Sequence, residues 1–232
     1  MNLADIRAQL EDELTWRRDE MRLLGNVLPT LTSEPDRQRY RKALLVMLYA
    51  HYEGFCRSAL SIYADAINKE HIACGEAVTC IAASSLASKF KDFENFERKS
   101  SLFKRLLPDD TQLHRFTRRA ELLEVLGDIW TQQVDIPISD VVNTEANLWP
   151  IVLRKILYCL GFDHEAMKDF EGGIFHLLNW RNDIAHGTRR DGLEDHQFSD
   201  VENAAYGIMD ELVRVVTEAL AAEAFRKAPA AA

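Results

Sequence analysis

Apolar residues recur along this chain with a period near 3.6 and not in alternation, a pattern that predicts helices almost throughout. Leu3, Ile6, Leu10 and Leu14 share one side of a first helix expected from about Asn2 to Gly25. Ser33-Glu34-Pro35 offers a cap and first turn for a second, long helix running to about Lys69. Between Ala43 and Ile67 this helix is apolar almost all round. Leu44, Leu48, Phe55, Ala59 and Ile62 make one side, and Leu45, Tyr49, Tyr52, Cys56, Leu60 and Tyr63 another. A helix with no wet face belongs at the centre of a bundle or in an interface. Glu53 interrupts the wrap one turn before Arg57. It reads either as half of a surface pair with Arg57, worth a few tenths of a kcal/mol, or as a carboxylate that faces another core helix and orients Arg181.

Residues 71–146 are the least regular part, broken by Gly75, Pro108 and Pro137, with Gln112 to Trp130 the clearest helix. Ile136-Pro137-Ile138 is expected to be extended, because a residue before proline avoids the helical region. The block reads as a mostly helical insertion between core helices. Asn147 or Thr144 is expected to start the next helix, with Pro150 in its first turn and Gly161 at its end. Another follows from about His164 to His186. Ser199-Asp200-Val201-Glu202 has the form of a capping box for a last helix, with a stripe of Val201, Ala205, Ile208, Leu212, Val215 and Ala219. The expectation is an all-α antiparallel bundle of four to five core helices, a single domain over 1–227 with 71–146 inserted, and a frayed tail at 228–232.

Composition narrows the function. Hydrophobic residues make up 47% of 232, enough for a real core. A net charge of −9 excludes a generic DNA-coating protein, whose affinity comes from neutralising many phosphates, but not RNA bound locally. Residues 89 to 119 hold nine Lys/Arg against five Asp/Glu, so this strip carries +4 and the remainder −13. It reads first as a solvated helical face and second as a basic strip. Cys56, Cys74, Cys80 and Cys159 show no metal-ligand spacing and look like reduced core thiols. No signal-peptide core is visible, and the longest apolar run, Ala43 to Ala50, is too short to cross a bilayer, so the expected setting is cytoplasmic, without a membrane.

The candidate chemistry lies in Trp180-Arg181-Asn182-Asp183-Ile184-Ala185-His186-Gly187. Chance alone supplies roughly 0.6 Arg/His pairs at this separation, so context has to carry the argument. At 100° per residue, Met167, Phe170, Leu177, Leu178 and Ala185 fall on the Ile174 side of the helix, and Arg181 lies near the middle of that stripe. An arginine there needs a carboxylate, a phosphate or a partner chain. Asn182 and His186, four apart, share a neighbouring face with Phe175 and Asn179. Gly187 can supply the left-handed residue that ends a helix, which puts His186 in the last turn, suited to proton transfer near neutrality.

With Arg181 and His186 separated by four residues, the chain resembles the HEPN superfamily, whose signature is Arg, four to six residues, then His at the end of a bundle helix. Asn182 matches the polar residue often found after the arginine. Tyr49-Ala50-His51-Tyr52-Glu53-Gly54-Phe55 looks like the first-core-helix motif of the bacterial MAE-type HEPN-like nucleases, and Asn147-Leu148, ahead of the penultimate core helix, fits them too. The resemblance covers residues 40 to 70 and 144 to 220. It implies a metal-independent endoribonuclease, often a toxin or phage-defence effector with an antitoxin or defence-system partner, acting as a homodimer with a site shared across the two-fold. His186 would be general acid or base, Arg181 would hold the scissile phosphate, Asn182 would fix phosphate or imidazole, Glu53 would orient Arg181, and Arg189 and Arg190 would grip flanking phosphates of the RNA. No cofactor is implied. HEPN toxins regulated by nucleotide transfer carry a tyrosine two residues after the histidine, where this chain has Thr188.

Other chemistries rank low. There is no Gly-rich phosphate loop, HExxH or nucleophile elbow; His51 with Glu53 reads as central helix and not as a metal pair, and Asp109-Asp110 is too isolated for a two-metal site. His71, His114, His164, His176 and His196 have no partner spacing. The alternative is an inactive HEPN-like bundle that dimerises or binds a partner protein or a nucleotide, with Arg181 and Glu53 as a buried structural pair.

Overall fold

The computed structural model describes residues 1–105, 107, 108 and 111–228, so Asp109-Asp110 and all of the expected tail beyond Ala228 lie outside the described residues. Nine α-helices are found among these: α1 Leu3–Gly25, α2 Glu34–Asn68, α3 Thr79–Ser85, α4 Ala87–Glu94, α5 Gln112–Asp128, α6 Ile138–Val141, α7 Pro150–Cys159, α8 Glu171–Ala185 and α9 Asp195–Ala221. The described residues contain no strand, only isolated bridges at Ala73/Gln133 and Ala77/Arg226. The fold is all-helical, as the periodicity predicts, and no helix among the described residues is long and apolar enough to cross a membrane.

The all-round apolar helix takes the centre. α2 packs against α1, α8 and α9, and Tyr52, Phe55, Leu45, Leu48, Leu60 and Ile67 on it are shut off from solvent. Burial pushes the Cys56 thiol up, and all four cysteines are free. Segment 71–146 also feeds the core through Ile72, Cys74, Ala77, Ile81, Ile129 and Val134, while α3 rests on α7 and α5 on α4.

Four helix starts differ from the sequence expectation. α6 begins at Ile138, in the stretch expected to be extended, with Pro137 as its cap (ψ 88°), so only Ile136 and Pro137 stay outside a helix. α7 begins at Pro150 and not at Asn147 or Thr144, because Trp149, held extended by the proline after it, is the cap (ψ 155°). This leaves 144–148 as a loop. α8 begins at Glu171; the stretch from His164 is turn followed by a 3₁₀ turn at Lys168–Phe170, although Met167 and Phe170 still pack on the core. α9 begins at Asp195, one turn before Ser199, capped reciprocally by Glu194 and Gln197. Its stripe continues by fours from Leu212 to Val216 and Leu220, which are buried, leaving Val215 and Ala219 partly covered. Ala185, placed on the core stripe by the 100° wheel, is exposed because α8 ends there and leaves the bundle.

Two adjacent glycines at the start of α8 test this packing. A Cβ on Gly173 would sit 2.4 Å from the Ala204 Cβ and 3.4 Å from the Asp200 carbonyl oxygen, both on α9. A Cβ on Gly172 would meet nothing within 4 Å. Gly173→Ala is therefore expected to force α8 and α9 apart and cost about 1–3 kcal/mol, whereas Gly172→Ala gains up to ~1 kcal/mol of helix propensity. Thermal unfolding followed by circular dichroism should show melting shifts of opposite sign, each about 2–4 °C per kcal/mol for a chain of this size.

Candidate functional site

The site is assembled from α2, the loop before α7, and the end of α8. Two tyrosines one turn apart on α2 pin the loop. Tyr49 Oη accepts from the Leu148 N–H (3.2 Å) and donates to Asn147 Oδ1 (3.4 Å), and Tyr52 Oη donates to the Leu148 carbonyl (3.4 Å). Leu148 itself is fully buried, so the loop is anchored by packing as well as by hydrogen bonds. Burial, with Glu53 nearby, pushes the Tyr49 phenol up to about 12, so it stays protonated and a donor at neutral pH.

Pinned in this way, Asn147 presents its Oδ1 to Arg181. Arg181 Nη1 donates to Asn147 Oδ1 (2.7 Å) and to Asn182 Oδ1 (2.8 Å), and the guanidinium lies over the Tyr49 ring at 4.4 Å. Both side-chain bonds use one nitrogen, so Nε and Nη2 remain as a fork. No carboxylate among the described residues pairs with it. Three other shielded arginines differ: Arg17 pairs with Glu13, Arg41 with Glu34 and Asp195, and Arg154 with Glu165 and Glu171, whereas Arg118 and Arg189, like Arg181, have only neutral partners among the described residues. Arg181 thus keeps its full positive charge in a half-buried place, held by neutral groups, an arrangement suited to an anion.

Glu53 does not reach Arg181. Its Oε1 accepts from Thr144 Oγ1 (2.7 Å) and from Arg57 Nη2 (3.0 Å), and Arg57 also donates to Thr144 (2.7 Å). The expected pair with Arg57 is present, while direct orientation of Arg181 is not; Thr144, at the start of the loop before α7, engages the Glu53 carboxylate instead. Glu53 acts on the arginine at one remove, by tying down the start of that loop and by its place beside Tyr49. The buried Arg181/Glu53 pair of the alternative reading is likewise not formed.

His186 caps α8. The Gly187 N–H donates to the Ile184 carbonyl (3.1 Å) and the Thr188 N–H to the Asp183 carbonyl (2.9 Å), with Gly187 at φ +71°. These two bonds define a Schellman end, and only a residue without Cβ takes that φ freely. Thr188 Oγ1 adds a bond to the Asp183 carbonyl (3.0 Å), so the threonine that stands where HEPN toxins regulated by nucleotide transfer carry a tyrosine fastens the turn. The imidazole is exposed, with no hydrogen-bond partner among the described residues. It stands one turn beyond Asn182 on the face shared with Asn179 and Phe175.

Arg189 and Arg190 part company. Arg189 folds its guanidinium over Trp180 at 5.1 Å, on whose ring His176 also stacks at 5.3 Å, and its carbonyl accepts from Lys42 Nζ (2.6 Å). Arg190 is exposed and forms no ion pair among the described residues. The structure therefore bonds Arg181 to Asn182, puts His186 one turn beyond Asn182 at the exposed end of the same helix, ties Glu53 to Thr144, and turns Arg189 onto an aromatic ring. The residues that sequence reasoning passed over are Asn147, Tyr49 and Thr144. Tyr49 and the Asn147-Leu148 pair were visible as motif residues, but their roles depend on the loop's path.

The bundle and the helix-end Arg/His arrangement define a HEPN-type helical domain. Over residues 12–218 the sequence matches RiboL-PSP-HEPN, and the chain belongs to that family. The matched range takes in much of α1 and the 71–146 segment as well as the core helices. No curated protein and no solved structure matches the chain. HEPN domains are often ribonucleases, and often bind RNA and dimerise.

Proposed function

We propose that this protein is a metal-independent endoribonuclease of the MAE-type HEPN-like kind, in which Arg181, Asn182 and His186 carry the reaction. The observation that supports it most is the half-buried Arg181 with only neutral partners, because such a charge is costly unless an anion completes it. RNA brings its own nucleophile. His186 takes the proton of the 2′-hydroxyl as that oxygen attacks the adjacent phosphorus; the new O2′–P bond forms, the P–O5′ bond breaks, and the leaving O5′ receives a proton. The free Nε/Nη2 fork of Arg181 grips the non-bridging oxygens and the charge that grows on them. Asn182 bonds to Arg181 and is aimed at the same phosphate, and Arg190 reaches the neighbouring one. Arg189, held on Trp180, is placed to follow by a side-chain swing.

A homodimer with the α8 ends facing across a two-fold supplies a second His186 as the acid. Exposed apolar side chains beside the motif helix support such pairing: Ile151 is 71% exposed, Tyr158 60% and Phe175 54%. A nuclease of this kind fits a toxin or defence effector held in check by an antitoxin or defence-system partner. The test is incubation of purified protein with single-stranded RNA in EDTA and analysis of the product ends. The expected result is cleavage leaving 2′,3′-cyclic phosphate and 5′-hydroxyl ends; RNA left intact, or 3′-hydroxyl ends, would sink the reading.

A further inference from the structure

The cations of this acidic protein fall into two groups. On the bundle they are mostly neutralised: Arg7, Arg18, Arg39, Lys69, Lys155 and Arg214 each sit in an ion pair. On α4, α5 and the turns between them, Lys89, Lys91, Lys104, Arg105 and Arg119 are exposed and form no ion pair with any described residue. Aromatic rings stand among them. Phe96 is 69% exposed and Phe116 is 65% exposed, one turn before Arg119. Phe96 is held outward from below: the buried Arg118 donates to the Phe96 carbonyl (3.3 Å) and the Arg98 carbonyl (2.9 Å), with its guanidinium 5.6 Å from the Phe96 ring. Unpaired cations interleaved with exposed rings are the requirement for a single strand of nucleic acid, whose phosphates need charge and whose bases need flat apolar partners.

We infer that the α4–α5 arm binds single-stranded RNA, with phosphates on Lys104, Arg105 and Arg119 and bases stacked on Phe96 and Phe116, and that it holds the strand whose distal part enters the Arg181 site. Naming RNA as the strand rests on the ribonuclease reading. The base of the arm is tied to α2 at Asn68, which bonds Ile136, whereas Arg181 lies over Tyr49 of the same helix. Those positions are 19 residues apart, roughly 28 Å at 1.5 Å per residue, so a strand that touches both has to bridge a distance of about that size.

The experiment is fluorescence anisotropy of labelled single-stranded RNA in EDTA, on the full chain carrying His186→Ala to keep the probe intact. A 30-nucleotide probe should bind at least ~10-fold more tightly than a 6-nucleotide one. Adding K104A/R105A/R119A should weaken the long probe by 10-fold or more and flatten its salt dependence by about 2 in the log–log slope; adding F96A/F116A should weaken it by about 5-fold or more at an unchanged slope. Arm variants that bind the long probe as the parent does, with the same salt slope, overturn the inference. So does a Leu123→Asp variant, at an exposed apolar position of α5, that changes the oligomeric state while the cation variants leave RNA binding untouched, since the arm is then a protein interface. If wild type cleaves no RNA yet long-probe binding still depends on the arm, the nuclease reading fails and the arm's role stands.

Discussion

Replacing His186 by alanine is expected to lower the rate of RNA cleavage by about 10²- to 10⁴-fold, the usual worth of a positioned acid or base, and to leave the fold as stable as before. The loss lies at the upper end if a dimer uses one His186 as base and the other as acid, because a single substitution then removes both. The fold is spared for a local reason. His186 contributes to the helix end through its backbone, whose N–H donates to the Asn182 carbonyl (2.9 Å), while its exposed side chain makes no hydrogen bond among the described residues. An exposed side chain without partners costs about 0.5 kcal/mol or less to remove. Single-turnover cleavage of a labelled RNA, paired with thermal unfolding, reads both quantities. Equal cleavage by wild type and variant would remove His186 from the mechanism.

How much of this was legible in the sequence depends on whether a residue's partners lie on its own helix. Gly187 announced the end of α8, and with it the place of His186, because a left-handed residue is a local requirement. The all-round apolar pattern from Ala43 to Ile67 announced the central helix for the same reason. Glu53 was not legible. On its own helix it has Arg57 one turn on, and that pair exists, but its carboxylate is also engaged by Thr144, at the start of the 144–148 loop, which has no periodicity to read. Arg189, read as a grip for a flanking phosphate, lies over Trp180, nine positions earlier, a contact that its own loop does not announce. The late starts of α7 and α8 have a further cause: Met167 and Phe170 satisfy a helical wheel and do pack on the core, yet they do so from turns. Burial follows the pattern of apolar positions; helix boundaries follow caps and prolines.

Arg181→Ala is expected to cost about 10²–10³ in rate, the range for removing a group that stabilises charge in the transition state, and about 2 kcal/mol of stability, short of unfolding the chain. Had the guanidinium been paired with a buried carboxylate, its removal would strand that charge at about 3–5 kcal/mol. Here it leaves behind two amide oxygens and a tyrosine ring, a loss of roughly 1 kcal/mol per hydrogen bond. Arg181→Lys keeps the charge but not the planar fork, so it should restore phosphate attraction and recover little of the rate. Asn147→Ala separates positioning from chemistry. It removes one of the two acceptors that hold Nη1, so the guanidinium gains freedom and kcat should fall by about 10-fold, while the salt dependence of RNA binding stays put because no phosphate-binding charge has changed. Rates, binding slopes and melting curves for the three variants decide between a phosphate-holding arginine and a structural one. If Arg181→Ala unfolds the chain while His186→Ala alters neither stability nor RNA, the arginine serves the fold and the site has no chemistry of this kind.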